Sequence, residues 1–166
     1  MRQRLNELTL DELREENKLL RETIRGTHCP VCDQYCKLYR RNMYAKQAKI
    51  LINLHQHTLR QSRLEHYGLV SAKQWSFFHI REFTKATDGE FSKLANWDLI
   101  LPGPMRGLWR ITSLGKDFVL NKEKVEKYIW LYNNNRVGYH PDKTNPLVSI
   151  TDVLSSKFNY DELMSH

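Results

Sequence analysis

The stretch "DGEFSKLANWDLILPGPMRGLWRIT", residues 88–112, leaves this chain few ways to fold. "LIL" and "LWRIT" are β-rich runs, and the prolines and glycines of "PGPMRG" between them demand a hairpin loop. Ahead of the hairpin, "EFSKLANW" predicts a helix with Phe91, Leu94 and Ala95 facing inward, and "TDG" predicts the turn that precedes it. Further upstream, "WSFFHI" reads as a short buried strand and "IREFTKA" as a short helix.

In that order the elements make a winged helix-turn-helix, and the fold class expected is α+β. "FSKLANWDLI" followed by "GLWRITSLGKDFV" resembles the second helix, strand and wing of winged-helix regulators of the multiple-antibiotic-resistance type. The resemblance implies a DNA-binding module. The position where those families place glycine at the end of the second helix is Asp98, which can also visit the left-handed region. In a recognition helix Asn96 would read adenine and Lys93 guanine, and Arg106 in the loop has the side chain that enters minor grooves. Lys93 is the only cation of that helix, so the same surface also suits a protein partner. The cluster "CPVCDQYCKLYRR" with this hairpin resembles small bacteriophage proteins, which implies the cytoplasm of a bacterium or phage-infected cell.

The chain divides into four segments: an amphipathic or coiled-coil helix over 1–26, a Cys-rich knuckle over 27–37, the winged domain with a basic first helix over 38–120, and an extension over 121–166. In "LTLDELREENKLLRETI", Thr9 and Glu12 form a capping box. Leu10, Leu13, Asn17, Leu20 and Ile24 then keep heptad spacing, with Asn17 at a register-setting position and Glu16 five residues before Arg21. This predicts a parallel homodimer; packing of the helix on its own domain is the alternative. "MYAKQAKILINLHQH" places Tyr44, Ala45, Ala48, Leu51 and Ile52 on an apolar stripe, with Lys46, Lys49, Asn53 and Gln56 opposite. In the extension, "VEKYIWLYNNNRVGYHP" reads as a second hairpin, although its first half also has helical spacing, and "SITDVLSSKFNYDEL" as a helix anchored by Phe158 and Tyr160.

The net charge of +7 belongs to one region. Residues 37–81 carry nine basic side chains against the single acid Glu65, while the segments on either side are balanced to within one charge. Lys37, Arg40, Arg41, Lys46 and Lys49 are therefore the candidates for neutralising phosphates. A solvated, solubilising helix face is the plainer reading.

All three cysteines lie between residues 29 and 36. An odd number in a chain with no signal-peptide core and no apolar run near the ~18 residues of a membrane span argues against disulfides. Cys29 and Cys32, spaced as in a zinc knuckle, would hold a structural zinc with Cys36 from the first turn of the basic helix. His28 is the nearest fourth ligand, with His55, His57, His66, His79 and His140 more distant. Thiols without metal and an iron–sulfur or redox role are the competing readings.

Two functions remain in competition. One is a DNA-binding regulator or accessory protein acting on double-stranded DNA. The other is an interaction module, a phage-type factor docking on a host nucleic-acid enzyme or defence protein. Catalysis is not expected: there is no His-Glu-x-x-His, no phosphate-binding glycine loop and no nucleophile elbow.

Overall fold

Gln47, Ala48, Ile50, Leu51, Ile52, Leu54 and His55 are all buried on one helix. Burial at consecutive positions means the helix is wrapped on most sides, where a surface helix would bury a single stripe. The structure is a computed structural model describing residues 25–28, 31–69, 77–85, 89–132, 135–137 and 145–165. In chain order its elements are β1 (Thr27–His28), β2 (Tyr35–Cys36), β3 (Leu38–Asn42), α1 (Ala45–His66), β4 (Phe78–His79) and α2 (Ile80–Phe83). A 3-10 helix (Phe91–Trp97) comes next, then β5 (Ile100–Pro102), β6 (Leu108–Ile111), α3 (Ser113–Val119), β7 (Val125–Glu126), β8 (Tyr128–Tyr132) and β9 (Asn135–Arg136). The last elements are β10 (Leu147–Val148), α4 (Ile150–Leu154), a 3-10 turn (Ser155–Lys157) and α5 (Tyr160–Met164). The fold is mixed helix and sheet. No helix among the described residues is long and apolar enough to cross a membrane.

The chain divides into two compact units, residues 1–41 with 130–141, and residues 42–129 with 142–166. In the first, β1 and β2 pair antiparallel, Thr27 opposite Cys36 and His28 opposite Tyr35. A second sheet has the order β3-β8-β9. The hairpin expected from "YIWLYNNNR" is present, pairing Leu131 with Arg136 and Tyr132 with Asn135. Along β8, Ile129 and Leu131 are buried while Tyr128, Trp130 and Tyr132 are half-buried, the two-residue period of a strand with one inner face.

Here the structure corrects the sequence reading: "KLYRRN" is not the start of a basic helix. Leu38–Asn42 is a strand, and the helix begins at Ala45. Cys36 likewise lies on β2, not on a helical turn. The partner of β3 is β8, some ninety residues along the chain, so helical spacing could not reveal the pairing. Tyr44, expected on the apolar stripe, is the exposed residue preceding α1.

In the second unit, α1 packs against α2, α3, α4, α5, β6 and the 3-10 helix. Its larger sheet has the order β4-β6-β5, with Phe78 opposite Trp109 and Ile100 opposite Ile111, and β7 pairs antiparallel with β10. "FSKLANW" forms a 3-10 helix where an α-helix was expected. Phe91, Leu94 and Trp97, three residues apart, are buried on one face, and three residues per turn aligns them. Asp98 ends it in the left-handed region at φ 59°.

The sequence "ITSLG" locks the hairpin to α3. The Thr112 hydroxyl donates to the Asp98 carbonyl at 2.7 Å and accepts from the Gly115 N–H at 2.8 Å, capping the helix. A side chain on Gly115 would run into the Leu99 carbonyl, so only glycine permits this approach. At the C-terminal end a single helix was expected. The structure has α4 and α5 on either side of Phe158 and Asn159, with the Tyr160 hydroxyl donating to the Val119 carbonyl at 2.8 Å.

Candidate nucleic-acid interface

Within the second unit, one face of α1 borders a groove of about 710 Å3. Lys46, Lys49 and Asn53, spaced three and four apart, share this helix face. The opposite wall is α2 and the residues after it, Arg81, Glu82, Phe83, Thr84 and Lys85, and Phe158 closes one side. Four cations thus meet around one concavity with a single carboxylate.

That carboxylate is engaged in the local structure. Glu82 Oε1 accepts from the His79 N–H at 2.7 Å, and Oε2 lies 3.4 Å from His57 Nε2. His79 Nδ1 accepts from the Arg81 N–H at 3.3 Å, and the Ile80 N–H donates to the Gly107 carbonyl at 3.0 Å. A four-residue helix with little propensity of its own is therefore fixed at its N-terminus by its cap and by the hairpin loop. Phe83 is buried against Phe91, ring centres 5.5 Å apart, which leaves Arg81 and Lys85 exposed.

The C-terminal wall rests on α1. The Lys49 ammonium lies 4.7 Å from the centre of the Phe158 ring, and Gln56 Nε2 donates to the Met164 carbonyl at 3.1 Å. A smaller hollow of about 200 Å3 shares Asn53, Glu82 and Phe83 with the groove and continues along α1 past Gln56, His57 and Arg60. The buried Gln47 joins the start of α1 to the 3-10 helix: its Oε1 accepts from the Tyr44 N–H and its Nε2 donates to the Glu90 carbonyl, each at 2.8 Å.

The candidate residues from the sequence fall in three places. Lys46 and Lys49 line the groove. Lys37, Arg40 and Arg41 belong to the other unit, on β3 or just before it. Lys93 and Asn96 lie half-buried on the 3-10 helix, and Arg106 is exposed in the loop between β5 and β6. Sequence reasoning missed Arg81, Lys85 and Phe83 as partners of Lys46 and Lys49. Helical spacing could not signal this wall, because the helix ends at Phe83 and Lys85 follows the extended Thr84.

The dimer residues Leu10, Leu13, Asn17, Leu20 and Ile24 lie outside the described residues, as do Cys29 and His140. Of the expected zinc ligands, His28 faces Asp33, its Nδ1 donating to the Asp33 carbonyl at 2.9 Å. Cys32 is exposed, and Cys36 is buried with its thiol donating to the Gln34 carbonyl at 3.5 Å. Among the described residues no three His, Cys, Asp or Glu side chains gather into a metal-sized cluster. His55, His57, His66 and His79 all belong to the second unit. His55 is buried, and both ring nitrogens lack a hydrogen-bond partner among the described residues.

No protein-family model matches this chain, and no curated protein or solved structure matches it either. What defines it is its own architecture, a mixed α+β chain in two units. The second unit carries a basic groove between its long helix and the short helix α2.

Proposed function

We propose that this chain binds nucleic acid, with double-stranded DNA as its target, through a winged helix-turn-helix in its second unit. The convergence of Lys46, Lys49, Arg81 and Lys85 on one groove carries the nucleic-acid part of the reading, because phosphate neutralisation is what makes nucleic-acid affinity large and salt-dependent; the choice of duplex rests on the winged arrangement. The sheet order β4-β6-β5, with α1, α2 and the 3-10 helix in chain order, supports the winged arrangement. Lys93 and Asn96 then contact base edges, Arg106 enters the adjacent groove, and Lys37, Arg40 and Arg41 add phosphate contacts. The heptad leucines of the N-terminal segment make the protein a homodimer.

Cys29, Cys32, Cys36 and His28 hold a structural zinc in this reading. The Nδ1–H bond of His28 to Asp33 suits it, since it leaves Nε2 as the ligating nitrogen. Cys36 binds as a thiolate, so its present thiol bond to Gln34 is given up on loading. Bound zinc would contribute folding free energy to the hairpin of β1 and β2.

Exposed Leu101 and Met105 beside Arg106 favour the second reading, a hairpin that docks on a partner protein. An electrophoretic mobility shift with mixed genomic fragments at two salt concentrations, with metal assayed on the same preparation, tests the proposal. Binding that weakens with salt is expected, with one zinc per chain. Absence of binding at low salt from folded, zinc-loaded protein would transfer the function to the protein-docking reading.

A further inference from the structure

We infer that the groove of α1 and α2 takes a single nucleic-acid strand, not a face of the duplex. The inference rests on the nucleic-acid reading above and changes the form of the partner at this one site. Duplex DNA is a convex rod whose phosphates lie on its outside, and it meets basic helix faces and protruding loops. This site is instead concave, and its volume of about 710 Å3 is the size of a small-molecule cleft. A strand can enter such a groove where the duplex cannot.

The chemistry of the lining fits a strand in two respects. Lys46 and Lys49 on one wall face Arg81 and Lys85 on the other, so a phosphodiester backbone running between them meets cations from both sides. Phe158 then supplies an aromatic surface beside the cations, the combination by which single-strand grooves hold backbone and base together. In the structure the Lys49 ammonium rests on that ring, 4.7 Å from its centre. When a strand enters, the ammonium turns to a phosphate and a base takes its place on the ring. The one carboxylate of the lining, Glu82, is outnumbered by the four cations, and its Oε1 is turned to the His79 N–H.

The experiment is fluorescence anisotropy of the full chain with a labelled oligothymidylate of about ten nucleotides, within the length such grooves cover. A duplex of equal length is titrated in parallel, each over a series of salt concentrations. The oligothymidylate is expected to bind. Phe158→Leu, which keeps apolar bulk beneath Lys49, should weaken it about tenfold through lost stacking. The double variant Arg81→Ala/Lys85→Ala changes two exposed side chains and so leaves folding intact. It should lower the slope of log affinity against log salt by about 1.4 if each cation meets one phosphate of a single strand. Binding of the duplex without the oligothymidylate would overturn the single-strand site and leave the DNA-binding proposal standing. Binding of neither would overturn both. Oligothymidylate binding that the double variant leaves unchanged in slope would place the strand elsewhere and overturn the inference.

Discussion

The Lys49 ammonium stands 4.7 Å from the centre of the Phe158 ring, which brings a residue of the central helix against one more than a hundred positions later. This contact closes the C-terminal side of the groove. Lys49→Met keeps the aliphatic stem and removes the charge, so it isolates the attraction between cation and ring. An exposed to half-buried pair of this kind is worth about 0.5–1 kcal/mol. Urea unfolding should show a loss of that size, with the slope of free energy against urea unchanged.

Thr112 and Gly115 act as a pair at the start of α3. Thr112→Ala removes both the cap and the bond to the Asp98 carbonyl, for an expected loss of about 1–2 kcal/mol. Gly115→Ala puts a methyl group against the Leu99 carbonyl and Ile111, an overpacking expected to cost about 1–3 kcal/mol. Were glycine chosen here only for convenience, alanine in a helix would stabilise. Denaturation midpoints of the two variants decide the matter.

His55 gives the second unit a dependence on pH. Burial, followed by the charge of Lys116, holds its imidazole below the ordinary value of 6.5. The folded protein keeps the ring neutral while the unfolded chain protonates near that ordinary value. The stability His55 contributes is thus present above about pH 6.5 and is lost as pH falls from there through the lowered folded value. Urea midpoints measured across this window should decline with acidification in the wild type. In His55→Leu the decline should be smaller.

The zinc proposed for the first unit has its own readout. Chelation of the purified protein should unfold the hairpin of β1 and β2 while leaving α1 helical, because the two lie in different units. Cys32→Ser should lower the zinc content to well below one per chain. Far-ultraviolet circular dichroism beside a colorimetric zinc assay shows both effects at once.

What the sequence disclosed depended on the range of the interaction. The hairpin loop of "PGPMRG" was legible because proline and glycine constrain the backbone locally, and so was the left-handed Asp98. The polar face of α1 could be read from helical spacing, and its Lys46, Lys49 and Asn53 do line the groove. Spacing put Phe91, Leu94 and Ala95 inward, whereas Trp97, not the half-buried Ala95, completes the buried face with Phe91 and Leu94. A three-residue repeat fits one side of a short α-helix almost as well as it fits a 3-10 helix. "KLYRRN" was opaque for a different reason: its strand conformation depends on pairing with β8, far along the chain. The groove itself was hidden for the same cause, since Arg81 and Phe158 reach Lys49 only through tertiary packing.

The central claim is that the four groove cations contact phosphate. The most direct test compares the salt dependence of duplex affinity for the wild type and for Lys46→Ala/Lys49→Ala/Arg81→Ala/Lys85→Ala, each confirmed as folded by circular dichroism. If each cation meets one phosphate of a DNA molecule bound through this unit, the slope of log affinity against log salt should fall by up to about 3.6. Where the groove holds a single strand and the duplex is held by the remaining basic residues, the fall is expected instead in the slope for the oligothymidylate titrated in parallel, by up to about 2.8. An unchanged slope with unchanged affinity for both the duplex and the oligothymidylate would contradict the account, because the groove would then take no part in binding nucleic acid.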